Sequence, residues 1–141
     1  MILIKPWSQA LTEALPIRTT VFVHEQGVSP ELELDEFDAA AEHALAYIGS
    51  QCVGTARLIQ RTDGKGQIGR MAVLIEYRKQ GIGSQLFNAL LEQGRSKGIV
   101  EFELHSQVLA IPFYERLGFT PQGEIYEEAG IPHRNMILIL K

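Results

Sequence analysis

Arg70-Met71-Ala72-Val73 ends a strand-like run, and Arg78-Lys79-Gln80-Gly81-Ile82-Gly83-Ser84 follows it with two glycines and two cations. After Tyr77 the apolar period changes from two to 3.6, and Ile82, Leu86, Phe87, Leu90 and Leu91 form one stripe that continues to about Lys97. A strand that stops before a glycine-bearing loop, which itself opens a helix, gathers unbonded backbone N–H groups and the positive end of a helix dipole at one point. A phosphate fits there. Gly81 and Gly83 remove the side chains that would block a pyrophosphate, and Arg78 and Lys79 neutralise it. The two better-known phosphate loops do not match. No glycine precedes Gly81 at the P-loop spacing and no lysine follows Gly83, while Leu86 stands where a Rossmann turn needs a third small residue.

Upstream, residues 43–48 and 52–60 read as strands across a Gly49-Ser50 turn, and Arg61-Thr62-Asp63-Gly64-Lys65-Gly66 is a hairpin turn into a third strand over 67–74. Residues 1–5 read as a short strand. Ser8 is a candidate N-cap for a helix that Pro16 interrupts or restarts, and residues 17–26 continue as helix. Residues 27–40 carry Pro30, clustered acids and no apolar period, which marks a long loop of the functional kind. Downstream, Gly98 closes the amphipathic helix, 99–106 alternates as a strand, 108–117 fits a short helix ended by Gly118, and 136–140 is a last strand. Three antiparallel strands followed by a strand–helix–strand crossover imply a mixed sheet covered by helices.

The chain has 141 residues, 45% of them hydrophobic and 21% charged, so it can bury one core and is neither disordered nor fibrous. A single domain over 1–141 is expected. The net charge of −4 argues against binding nucleic acid or an anionic membrane through bulk charge. Four apolar residues before Lys5 are too few for a signal-peptide core, and no apolar run approaches the roughly eighteen residues that span a bilayer, so a cytoplasmic protein is expected. Cys52, the one cysteine, lies in a strand-like stretch where a buried, inert thiol is expected. His24, His43, His105 and His133 show no ligand spacing, and no metal is expected. Between Arg18 and Arg57 there is no lysine or arginine, while Glu25, Glu31, Glu33, Asp35, Glu36, Asp38 and Glu42 crowd together. That interval reads either as a solvated acidic loop or as a mouth that attracts a cationic or amine substrate.

Arg78-Lys79-Gln80-Gly81-Ile82-Gly83 resembles the [RQ]-x-x-G-x-[GA] pyrophosphate loop of the GNAT N-acetyltransferase superfamily, and Ala110-Ile111-Pro112-Phe113-Tyr114-Glu115-Arg116-Leu117-Gly118-Phe119 resembles its second signature, A-x-x-F-Y-x-x-L-G-F. The stretch from Arg18 to Gln26, the acidic loop ending at His43, Gln107, and Tyr126-Glu127-Glu128-Ala129-Gly130-Ile131-Pro132-His133 are similar to the ElaA/YjcF branch of bacterial GNAT proteins, so the likeness covers nearly the whole chain. It implies an α+β fold with a splayed, mixed sheet of about six or seven strands packed by about four helices.

The resemblance further implies acetyl-CoA as co-substrate and an N-acetyltransferase that acts by direct attack of a primary amine in a ternary complex. Met71, Ala72 and Val73 would run beside the pantetheine and polarise the acetyl carbonyl, Arg78, Lys79, Gln80, Gly81, Ile82, Gly83 and Ser84 would hold the pyrophosphate, and Gln107 would stand where the family often has asparagine. Tyr114 falls where the family places the acid that protonates the departing thiolate; a phenol with a pKa near 10 is protonated at neutral pH. The base is drawn from Glu25, Asp35, Glu36, Glu127, His133, Glu103 and His105, with Glu36 or His133 put forward, and Glu25, Asp35, Glu36 and His133 as acceptor contacts. Phe102 occupies the position from which the N-terminal acetylating branch presents its basic carboxylate. Arg18 and Arg70 either hold an anionic part of the acceptor or pair with the acids, pairing being favoured. The partners expected are acetyl-CoA and a small-molecule or peptide amine, with a homodimer allowed for. The alternatives are a non-catalytic acyl-CoA sensor and a transferase for a longer acyl-CoA.

Overall fold

Alternating burial along residues 101–107 puts Phe102, Leu104 and Ser106 into the core and turns Glu103, His105 and Gln107 to the opposite face. The computed structural model describes residues 1–30 and 35–140. Its strands are β1 (Ile2–Pro6), β2 (Glu42–Ile48), β3 (Gln51–Gln60), β4 (Lys65–Val73), β5 (Glu101–Gln107), β6 (Thr120–Glu128) and β7 (Ile131–Ile139). They form one seven-stranded mixed sheet in the order β1-β2-β3-β4-β5-β7-β6, antiparallel everywhere except between β4 and β5. Three α-helices are described: α1 (Trp7–Arg18), α2 (Ile82–Ser96) and α3 (Ile111–Arg116). The fold is α+β, with fewer α-helices among the described residues than the four expected.

Helix α2 lays Leu86, Phe87 and Leu90 on one face of the sheet against Val53, Leu58, Ile68 and Phe102. Helix α1 covers the other face with Ala10, Ala14 and Ile17 against Leu45, Cys52 and Ala72. Strand β3, between the two layers, is buried from Cys52 to Ile59. Each large side chain removed from water there contributes about 1.5–3 kcal/mol before conformational entropy is counted.

The parallel ladder between β4 and β5 is short. It runs from Lys65↔Glu101 to Gln67↔Glu103 and ends. Beyond it, two residues of β4, Arg70 and Met71, stand opposite Ala56 alone, because the register passes from Arg57↔Gly69 to Thr55↔Ala72. Arg70 takes φ +52°, a left-handed conformation that non-glycine residues rarely adopt. This bulge bends β4 away from β5 and splays the sheet.

Several sequence expectations change. Ser8 is not the cap: β1 runs without a loop into α1, whose N-cap is the extended Pro6 with no side-chain cap bond. Pro16 does not interrupt the helix. It lies inside α1, and the wider winding follows it as a π-helical turn over Thr19–Glu25. The loop after Tyr77 reaches Gly81 before α2 begins, and the final strand starts at Ile131. β6 was not anticipated because it is an exposed edge strand, bulged between Gln122 and Tyr126, without the alternating apolar pattern of a buried strand. Within the acidic loop, Glu31 and Glu33 lie outside the described residues.

Asp38 anchors the rest of that loop. It accepts two hydrogen bonds from the fully buried Arg18, at 2.8 and 3.0 Å, and one from Arg57 at 3.1 Å. Its carbonyl bonds the His43 ring at 3.0 Å, and Trp7 packs over both Arg18 and His43. Burial alone would raise the Asp38 carboxyl; the bonds and charge of Arg18, with the Asp35 N–H and Arg57, overcome it and hold it below the usual carboxylate range. The folded value therefore lies under the unfolded one, so the stabilisation is complete above about pH 4 and is lost as pH falls through the folded value. Asp38→Asn should lower the unfolding free energy by about 3–5 kcal/mol, because the buried charge that Arg18 and Arg57 share is removed, and should flatten the acid limb of stability. Urea midpoints at pH 7 and at about pH 3 measure both effects.

Candidate active site

The wedge opened between β4 and β5 holds a cavity of about 400 Å³. Arg70 and Met71 of the bulge, His105 and Gln107 of β5, Tyr114 of α3 and Glu128 of β6 line it, together with His133 of β7. Gly83 marks where the three sequence blocks meet. A Cβ there would lie 3.3 Å from Phe113 and 3.5 Å from the Met71 Sδ, so loop, bulge and second signature are in van der Waals contact. A larger side chain at Gly83 would collide with Phe113 before it touched any ligand.

Gly81 is constrained differently. It is the N-cap of α2 at φ +82°, with no side-chain cap bond, and a Cβ there would meet nothing within 4 Å. The first amides of α2 lack intrahelical partners by construction, and the space at Gly81 is open. Lys79, itself left-handed at φ +64°, is exposed beside this space. Arg78 is occupied: its Nε donates to the Val73 carbonyl at 2.8 Å and its guanidinium pairs with Glu25 at 2.5 Å. It braces the loop against the strand, and the donor set fits an anionic group at the loop.

Tyr114 is half-buried among the Phe87, Phe113 and Phe119 rings, and among the described residues its hydroxyl has no hydrogen-bond partner. Burial pushes its phenol above the ordinary value, so it is protonated at every physiological pH. Gln107 donates to the Gln26 side chain at 2.8 Å, tying β5 to the end of the π-helical turn.

The other expected contacts scatter. Glu25, Asp35 and Glu36 do not line the cavity. Asp35 accepts from Arg57 at 2.7 Å and from Arg70 at 3.0 Å, so arginines distant in sequence answer its charge. Glu36 is exposed, and so is Glu127, which alternation turns away from its neighbour Glu128. His133 is buried at the cavity wall, with Nδ1 against the Ile131 carbonyl at 2.7 Å. Cys52 is buried on the α1 side, its thiol pushed up to about 11 by burial, and does not line the cavity.

Glu128 is the cavity residue that sequence reasoning missed. Its Oε1 lies 3.1 Å from His105 Nδ1, and that bond holds the carboxyl below its usual range. The same bond, against burial and with Glu103 added, raises His105. Period-two alternation along β6 would have singled out Glu128, but only once β6 was recognised as a strand.

Residues 10–140 match the family model described as an acetyltransferase (GNAT) domain. The chain is 36% identical over 130 residues to YjcF of Bacillus subtilis, described as an uncharacterized N-acetyltransferase, covering 92% of each. It superposes on an acyl-CoA N-acyltransferase from Pseudomonas aeruginosa with a TM-score of 0.86 and 30% identity over 97% of each chain. The match to Escherichia coli ElaA has a TM-score of 0.86 and 28% identity, over 97% of this chain and 98% of that one. Because the likeness runs through both motif blocks and the whole sheet that separates them, this chain belongs to the GNAT acetyltransferase family, in the neighbourhood of ElaA and YjcF.

Proposed function

We propose that the protein transfers the acetyl group of acetyl-CoA to a primary amine by direct attack in a ternary complex. The observation that carries this reading is the contact at Gly83, where the loop that opens α2 meets Met71 of the bulge and Phe113 of the second signature, beside a cavity whose wall includes Met71 and Tyr114. In this reading the amides of Ile82, Gly83 and Ser84, with Lys79, hold the pyrophosphate. The open edge of β4 beyond Gln67 pairs with the pantetheine amides, and Met71, Ala72 and Val73 direct backbone donors at the thioester oxygen, where negative charge grows during attack. Gln107 steadies the arm from β5. Tyr114 gives its proton to the thiolate as the C–S bond breaks. The proton of the amine goes to the groups at the cavity wall, among which His133 and His105 keep their place and Glu128 joins them.

Thiol release from acetyl-CoA across amines, amino sugars, polyamines and peptides tests the proposal. Cofactor binding without release for any amine would favour a sensor, and faster release from a longer acyl-CoA would shift the donor. At a hundredfold excess over its Kd, acetyl-CoA should stabilise the protein by about 2.7 kcal/mol, roughly 8 °C in Tm for a chain of this length. Gly81→Ala should lower the unliganded Tm slightly through strain at positive φ and remove most of that ligand shift. An intact shift would move the cofactor site away from the loop.

Tyr114→Phe keeps the ring contacts and deletes the proton donor. Its single-turnover rate should fall about 10²- to 10⁴-fold, roughly 3–5 kcal/mol in the barrier, with little change in acetyl-CoA affinity. A wild-type rate would leave the tyrosine a packing role only.

A further inference from the structure

Two cavities lie along the wedge between β4 and β5. The larger has Tyr114 in its wall; the second, of about 340 Å³, sits where the two strands are still paired and is bordered by Arg61, Lys65, Glu101 and Glu103. Glu128 lines only the first, Glu103 only the second, and His105 lines both. The three side chains are in series: Glu128 Oε1 to His105 Nδ1 is 3.1 Å, and His105 Nε2 to Glu103 Oε1 is 3.2 Å. A histidine that merely packs needs one partner to fix its tautomer, whereas here a carboxylate faces each nitrogen, which is the arrangement that lets a ring accept a proton on one side and release one on the other.

We propose that Glu128, His105 and Glu103 form a proton path that carries the acceptor's proton out of the reaction cavity to solvent. The proposal rests on the acetyl-transfer reading above and deepens it. Overall, an ammonium and acetyl-CoA give an amide, CoA thiol and one free proton per turnover, and that proton needs an exit. The Glu128 carboxylate pairs with the incoming ammonium and takes a proton from its nitrogen. Neutral His105, which holds its own proton on Nε2, receives that proton at Nδ1 and becomes an imidazolium between two carboxylates. The Nε2 proton then passes to Glu103 and on to water, and the ring returns to its first tautomer by exchange with solvent. One proton enters the path and one leaves it, with no redox change; the second N–H proton, lost as the tetrahedral adduct collapses, restores the Tyr114 phenol. His105 and Glu103 act through Glu128 and are positioning and relay residues.

Other charged groups bear on the path from every neighbouring element. From β6, Tyr126 stands edge-on to the His105 ring at 6.2 Å. From β7, His133 Nε2 is 3.9 Å from the second oxygen of Glu128, and from β4 the charge of Arg70 acts on the same carboxyl. Arg61 and Lys65 share the second cavity with Glu103.

The test measures the pH dependence of kcat/KM with acetyl-CoA and the fastest amine of the panel, alongside an NMR titration of the His105 ring. In the wild type the acid limb should coincide with the His105 titration. Glu103→Gln, at the solvent end, should move both to lower pH by roughly half a unit, since a carboxylate that favours the imidazolium is gone. His105→Ala should lose about 10²-fold in kcat with acetyl-CoA KM little changed, and free imidazole should restore part of it. Should His105→Ala be too unstable to assay, Glu103→Gln alone decides. An acid limb unmoved in Glu103→Gln, or His105→Ala within twofold of wild type, would overturn the path while leaving acetyl transfer intact. A wild type silent with every amine would overturn both readings.

Discussion

Strands β4 and β5 cannot stay paired past Gln67, because Arg70 and Met71 share a single partner position on β3 and the bulge turns β4 aside. Much else in the molecule follows from that divergence. It exposes backbone amides and carbonyls that an unbroken ladder would consume, it makes a cavity where a sheet interior would otherwise be solid, and it aims the end of β4 at the N-terminus of α2. The bulge requires φ +52° at Arg70, a conformation that costs a non-glycine residue of order 1–3 kcal/mol. The guanidinium of the strained residue is itself held by Asp35, so the loop before β2 reinforces the bend in β4.

That loop also shows how charge in sequence differs from charge in space. Residues 19–56 contain acids and no lysine or arginine, which reads as a strongly anionic patch. In the fold, Arg18 from α1, Arg57 from β3 and Arg70 from β4 converge on Asp35 and Asp38, and Arg78 reaches Glu25. The carboxylates become anchors. Among the described residues, the carboxylate in the cavity wall is that of Glu128.

The chemistry divides along the same geometry. Gly81 and Gly83 open α2 next to the bulge, with Lys79 exposed in the same loop, while His105, Glu128 and His133 give the cavity wall titratable side chains. Tyr114, packed tilted or edge-on among phenylalanines and without a polar partner among the described residues, lines the same cavity and keeps its proton through burial.

The amphipathic period of α2, the turn residues of the β2–β3–β4 meander and the glycine-bearing loop were all legible in the sequence, because each is a local matter of side-chain spacing or backbone freedom. The pyrophosphate loop and the second signature were legible for the same reason: each is a short run whose letters carry its meaning. Four features were not. Pro16 inside a continuous helix depends on packing that outweighs its local cost; edge strand β6 has too little apolar alternation to announce itself; the arginine–aspartate pairs join residues nearly twenty or more positions apart; and Glu128 acquires its place only when β6 pairs with β7 beside β5. The sequence by itself determined the family, the elements that flank the loop and the residues able to face a phosphate, since local spacing encodes these. Only the tertiary structure decided which acids are neutralised and which face the cavity, because ion pairing and burial depend on distances that sequence separation does not measure.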